Sequence, residues 1–450
     1  MSHPYIPAEL GTEKISKLLR QYAMPAIIAM SATSLYNMVD SIFIGQGVGA
    51  MAISGFAVTF PFMNILAALG TLVGIGAGTL ISVRLGQRDY DTAKRILGNV
   101  VIMNIVIGLA FTVLSLIFLD PVLYFFGASD RTIYYARDFM TVILLGNVFT
   151  HLYFGLNNVL RASGHPKKAM ALTIITIVLN AILAPIFIFV LKWGIKGIAI
   201  ATILAQFVSL VWQVKIFSNK NELLHFHKSI FKPDIRIMKD MLYIGMAPFL
   251  MNFAACIVVI LINNGFKKYS GDLAIGAYGI VNRVAFLFIM IVMGINQGMQ
   301  PIVGYNYGAK QMDRVQQVLK LTIIFATIIT TVAFLLGEFF PELLARIFTS
   351  DDDLVALAVY GLRITVLLYP FIGAQIVITN FFQSMGMAGK AIFLSLIRQV
   401  LVLIPCLIIM PQFFGVTGVW ASLPLSDGIA AIVSTIMIFI QLRKFKTEQI

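Results

Sequence analysis

Charge is what this chain has least of. Only 12% of its 450 residues are Asp, Glu, Lys or Arg, and 59% are hydrophobic. A soluble domain carries about twice that charge, so the polar surface needed to face water is missing and most of the exterior must face lipid. Cysteine is nearly absent too. Cys256 and Cys406 stand far apart in apolar runs, which excludes a disulfide framework or a cysteine metal cluster. Of five histidines, only His225-Phe226-His227 lie close together, and they sit in a polar, basic stretch that reads as a solvated loop. No phosphate-binding loop is present. The nearest string, Gly386-Met387-Ala388-Gly389-Lys390-Ala391, has the wrong glycine spacing and Ala where Ser or Thr should hold magnesium. ATP hydrolysis is therefore not the energy source. No His, Asp or Ser cluster at one depth suggests a membrane-embedded enzyme, so an enzyme is not expected. The net charge of +13 does not point to nucleic acid, because the basic residues are scattered over short loops and form no stripe. Residues 1–20 are polar and contain Glu9 and Glu13, so the first apolar run is expected to be a retained span and no cleavable signal peptide.

What the chain does have is apolar runs of spanning length, about 20 residues or more. They lie near 21–44, 51–82, 95–119, 132–159, 169–191, 196–217, 240–265, 273–303, 316–337, 354–382, 390–410 and 415–441. Twelve spans predict an all-α, multi-pass membrane protein. With the N-terminus inside, 23 of the 33 Lys and Arg residues fall on inner segments, seven on outer ones and three within spans. That imbalance predicts both termini and the 218–239 segment on the cytoplasmic side.

The chain also repeats itself at an offset of about 222 residues. Met24-Pro25 answers Ala247-Pro248, and Ala52 to Phe56 answers Ala274 to Tyr278. Gly86 to Arg88, with Asp91, answers Gly308 to Lys310, with Asp313. Gly164 and Lys168-Ala169 answer Gly386 and Lys390-Ala391, and Gly194-x-x-Gly197 answers Gly415-x-x-Gly418. Five matches in order predict two homologous six-helix lobes, 1–217 and 240–450, joined by a cytoplasmic linker at 218–239. Six is even, so the repeats run parallel, and transporters of this build bind substrate near the midplane.

Ionisable residues inside spans carry the functional argument, since each costs on the order of 3 kcal/mol at a helix centre. Asp40 lies near the outer end of the first span, with Tyr36 and Asn37 on its face at four and three residues before it. Its counterpart in the second half is Asn263, which cannot titrate. In the second half Arg283, Arg363, Arg398 and Asp427, with Gln297, are candidates for an intramembrane charge network or for substrate binding, and Asp427 is expected to pair with Arg398 or Arg363. Glycines spaced by four, at 70, 74 and 78 and at 294 and 298, suggest close helix packing or hinges.

Leu35 to Gly45, with the core Tyr36-Asn37-Met38-Val39-Asp40, resembles the first-helix signature of the MATE family of multidrug and toxic compound extrusion transporters. Gly276 to Arg283, Arg398 to Leu401 and Leu423 to Asp427 resemble its bacterial MepA-like branch, and the resemblance covers all twelve spans. It implies two lobes in a V. It also implies efflux of amphipathic or cationic drugs or toxic metabolites across a bacterial inner membrane, in exchange for protons or sodium. Carried over by position, Asp40 is the first-lobe carboxylate, with Asn180 and Thr202 as its neighbours. Many members place a second Asp four residues after that Asn. Here Ala184 stands there, so a two-carboxylate site is not expected. No cofactor or bound metal is implied, only a transported ion. Membrane lipids are the expected surroundings and a monomer the expected state. A flippase for lipid-linked oligosaccharides is the alternative of related fold.

Overall fold

The computed structural model describes residues 7–447, apart from the side chains of Asn37, Met38, Ser41, Ala50, Asp272 and Lys446. Among these residues the chain is helical almost throughout and forms no strand. With no water in the bilayer core, each backbone group must be satisfied within its own segment, and the long apolar runs can do so only as helices. The first half contains α1 Ile15–Gly47, α2 Ala50–Gly86, α3 Tyr90–Ile117, α4 Ile133–Leu145, α5 Asn147–Ala162, α6 Pro166–Pro185 and α7 Gly194–Phe217. The second contains α8 Ile235–Ser270, α9 Asp272–Gly308, α10 Met312–Phe339, α11 Asp352–Val366, α12 Tyr369–Ser384, α13 Ala388–Leu396 and α14 Ile404–Thr447. Two π-helical turns interrupt the pattern, Ile186–Val190 after α6 and Ile397–Leu403 between α13 and α14.

Among the described residues, eight helices are long and apolar enough to span by themselves. Ten spans result when α4 with α5, bent by 57°, and α11 with α12, bent by 54°, each count as one. Twelve spans follow if α1 counts as a span and the long run Ala388–Phe445 counts as two, divided where Gly415 leaves the helix. Gly415 has φ 56° and ψ −135°, a conformation outside the helix.

The repeat is written into the backbone. α2 and α9, α3 and α10, and α5 and α12 begin and end 222 residues apart. Left-handed residues recur at the same offset, Gly49 with Gly271, Arg88 with Lys310 and Gly164 with Gly386, while Gly194 and Gly415 are 221 apart. A side-chain cap opens α3, where Asp89 accepts from the Thr92 N–H at 3.2 Å. Another opens α11, where Asp351 accepts from the Leu354 N–H at 3.0 Å.

Two compact units emerge, Met1–Thr12 with Ile28–Phe249 and Glu13–Ile27 with Leu250–Ile450. Their boundaries fall inside α1 and α8, just after Pro25 and Pro248. The first turns of α1 therefore pack in the second unit, and those of α8 in the first. Glycine makes this possible. A Cβ at Gly298 of α9 would stand 2.5 Å from the Ala23 Cα of α1, so only glycine lets these two backbones meet.

Each unit has its own apolar core. In the first, Phe56 meets Phe139 edge-on with centroids 5.0 Å apart, and Ala184 is fully buried in the same cluster. In the second, Phe266 packs on Trp420 at 4.6 Å. The segment after α7 folds back onto the first unit. Asp234 pairs with Arg95 at 3.1 Å, and Glu222 accepts from His165 at 2.7 Å and from Lys168 at 3.0 Å. Burial disfavours the Glu222 charge, but the bonds from Lys168 and His165 outweigh it and hold its carboxyl below the usual range. His225 and His227 bond through Nδ1 to the backbone carbonyls of Glu222 and His225.

Candidate functional site

In the first unit three elements converge on one carboxylate. α1 supplies Tyr36 and Asp40, one turn apart on a single face. α6 supplies Asn180, and α7 supplies Thr202. The Asn180 amide donates to the Tyr36 hydroxyl at 2.6 Å and to Thr202 Oγ1 at 2.8 Å. Thr202 Oγ1 in turn donates to the Ile198 carbonyl at 3.0 Å and lies 3.2 Å from the Tyr36 hydroxyl. The Tyr36 ring, one turn before Asp40 on the same face, lies within electrostatic reach of its carboxylate. The bonded set therefore runs from Asn180 to Tyr36 and Thr202, with Asp40 next to it.

That arrangement leaves a surplus of acceptors. Asp40 is 5% exposed and Asn180 is 2% exposed. Asp40 Oδ1 and Asn180 Oδ1 are both buried, and neither has a hydrogen-bond partner among the described residues. A buried acceptor without a donor costs roughly 1–3 kcal/mol, and a buried carboxylate costs more. Asp40 makes no ion pair there either. What would satisfy both oxygens is a positive species: a proton on the carboxyl, or a small cation held by the two oxygens with the Tyr36 and Thr202 hydroxyls. The Asn37 side chain lies outside the described residues. Ala184 presents no ligand, being buried in the apolar cluster. One turn beyond Thr202 on α7, Gln206 accepts from Thr150 Oγ1 at 2.5 Å, a contact between distant polar residues that no sequence pattern marked.

The second unit treats its carboxylate differently. Arg398 Nε donates to Asp427 Oδ1 at 2.5 Å, and Asp427 is 4% exposed. Arg398 rides on the π-helical turn between α13 and α14, and such turns are frequent at functional positions. Buried Tyr369 lies within electrostatic reach of both charges, an aromatic neighbour missed in the sequence. Arg283 on α9 and Arg363 on α11 do not join them. Both are exposed, and neither forms an ion pair among the described residues. Gln297 is half-buried on α9. Of the four charges that were candidates for a network or for substrate binding, Arg398 and Asp427 form a buried pair, while Arg283 and Arg363 lie exposed and apart from it.

Known proteins match this architecture from end to end. The family model MatE matches twice, at residues 25–186 and at 244–408, once in each half. The multidrug export protein MepA of Staphylococcus haemolyticus is 28% identical over 425 residues, covering 94% of this chain and 93% of its own. MepA of Staphylococcus aureus strain MSSA476 is 28% identical over 426 residues, covering 95% and 94%. Among solved structures, the MATE multidrug transporter DinF-BH superposes with a TM-score of 0.89 at 36% identity, covering 95% of this chain and 96% of its own. An outward-facing multidrug resistance MATE family transporter gives a TM-score of 0.92 at 22% identity, covering 99% of each chain.

Proposed function

This chain belongs to the MatE family of membrane transporters, and from that premise we propose that it exports amphipathic or cationic small molecules by exchange against protons or sodium. The observation that carries the reading is the lone buried carboxylate of Asp40, one oxygen of which has no hydrogen-bond partner among the described residues. A transported cation is the charge this arrangement lacks. Proton coupling is the reading we favour. Sodium asks for several oxygen ligands and compensating negative charge, and with Ala184 where a second acid would stand the site offers one full charge.

Tyr36, Asn180 and Thr202 are positioning residues in this scheme. Asn180 donates to the Tyr36 and Thr202 hydroxyls and so fixes Tyr36 beside Asp40, while Thr202 is held by its own bond to the Ile198 carbonyl. The Arg398–Asp427 pair is already neutral, which suits a structural or substrate-facing role and not ion coupling. The relatives that match over nearly the whole chain are multidrug exporters, which does not favour the oligosaccharide flippase. The protein acts in this reading as a monomer in the bacterial inner membrane, with both termini and the 218–239 linker in the cytoplasm, where 23 of 33 basic residues then lie. Drug-susceptibility profiling of a pump-deficient host expressing the protein tests the proposal. Raised resistance to several cationic dyes or drugs is expected. No change for any of them, with the protein present in the membrane, would reject it.

A further inference from the structure

The two halves differ at one pair of equivalent positions near the chain's inner ends. Lys168, in the first turn of α6, donates to Glu222 at 3.0 Å, and His165 donates to the same carboxylate. Displaced by 222 residues, Lys168 becomes Lys390 at the start of α13, and at the 221-residue offset set by Gly194 and Gly415, Glu222 falls at Arg443, next to Lys444 near the end of α14. The acid has been replaced by a base. Lys444 lies within electrostatic range of Lys390, so the second half holds two like charges where the first holds an ion pair. Lys390 donates to Gln441 Oε1 and sits 5.2 Å from the centre of the Phe382 ring. No acid pairs with Lys390, Arg443 or Lys444 among the described residues.

Beside this cluster lies an open face of α14 carrying Ile440, Arg443, Lys444 and Thr447. Those spacings of three, four and seven place all four residues on one stripe of α14. Continued toward the membrane, the stripe is apolar and exposed at Ile440, Ile436 and Ile432. Two to three turns of bare hydrocarbon thus end in a rung of positive charge that no acid pairs among the described residues. That sequence of surfaces matches one molecule lying along the helix, with an acyl chain below and a negative head above.

We infer that this face of α14 binds an anionic phospholipid, its phosphate between Arg443 and Lys444 and its acyl chain along Ile440, Ile436 and Ile432. Charge complementarity selects the headgroup, since each Lys or Arg near a membrane surface strengthens attraction to an anionic lipid about fivefold. The apolar stripe selects a lipid over a soluble phosphate. Occupancy relieves the repulsion between Lys390 and Lys444 that the first half avoids with Glu222. The site does not depend on what the protein transports.

Native mass spectrometry of the full chain in detergent, titrated with phosphatidylglycerol or phosphatidylcholine, tests the inference. The unaltered protein should prefer phosphatidylglycerol. Lys444→Glu puts an acid within electrostatic range of Lys390 and should weaken phosphatidylglycerol binding about twenty-fivefold, two charge steps of about fivefold each, while phosphatidylcholine binding holds. Arg443→Gln, a milder change that keeps the exposed position polar, should weaken it about fivefold. Lys168→Gln, in the other half, should leave the preference intact. Equal binding of the two lipids by the unaltered protein would overturn the site. So would unchanged phosphatidylglycerol binding by a folded Lys444→Glu or by Arg443→Gln. Displacement of phosphatidylglycerol by millimolar inorganic phosphate would show that the cluster takes a soluble anion and reject the lipid.

Discussion

Two halves built on one backbone plan keep their buried carboxylates in opposite states. Helix bounds, left-handed turns and bent pairs recur 222 residues apart, yet Asp40 is buried with no ion pair among the described residues, while Asp427 is bonded to Arg398 at 2.5 Å. The difference teaches where function resides. A paired buried charge is settled and specifies structure. A lone one is held at a cost, and in the proposed function an exchanging cation relieves it.

Removing one charge from each lobe separates the two states most sharply. Asp427→Asn leaves Arg398 buried without its partner and should cost about 3–5 kcal/mol, seen as lost folded yield. The double variant Asp427→Asn with Arg398→Gln should recover much of it. Asp40→Asn strands no partner charge and should fold with near-normal yield. Similar instability in both single variants would erase the contrast.

The close approach of α9 to α1 gives the next largest effect. A Cβ at Gly298 meets the Ala23 backbone, so Gly298→Ala should destabilise by about 1–3 kcal/mol, measured by thermal unfolding in detergent. At Gly279 a Cβ would meet nothing within 4 Å, and Gly279→Ala should be neutral or stabilising.

Within the first lobe, Tyr36→Phe removes the hydroxyl that accepts from Asn180 next to Asp40. Transport should fall several-fold and not vanish, corresponding to about 1 kcal/mol for one hydrogen bond. A variant as dead as Asp40→Asn would mean that Tyr36 itself carries the ion.

The smallest effect belongs to Glu222. Its folded carboxyl lies below the ordinary Glu range, so the stability it lends is present above the unfolded value of about 4.3 and disappears as pH falls through the lower folded one. Glu222→Gln should therefore melt slightly lower than the unaltered protein near neutral pH. The gap, under about 1 kcal/mol because the pair is partly solvated, should close in acid. A gap that persists below the carboxylate range would assign it to packing.

Much of this was legible in the residues. The 222-residue offset, read from scattered glycines and charges, reappears in helix ends and left-handed turns because those residues set the turns. The Tyr36, Asp40, Asn180 and Thr202 cluster could be named through the family pattern, yet not its hydrogen-bond direction, which depends on how three helices face. Hydropathy counted spans but could not place the unit boundaries inside α1 and α8, since a helix that leaves one bundle for another stays equally apolar. Nor could it tell which face of a span Arg283 or Arg363 occupies, and both proved exposed. The Arg398–Asp427 contact needed only the rule that buried charges seek partners. The clamp of Glu222 on His165 and Lys168 joins residues 57 and 54 apart and left no local trace.

The central claim is that Asp40 carries the coupling ion, and vesicles test it most directly. In vesicles loaded with a pH indicator and free of sodium, adding a cationic drug should dissipate an imposed pH gradient with the unaltered protein and leave it intact with Asp40→Asn. Gradient dissipation by a correctly inserted Asp40→Asn variant at the normal rate would contradict the account.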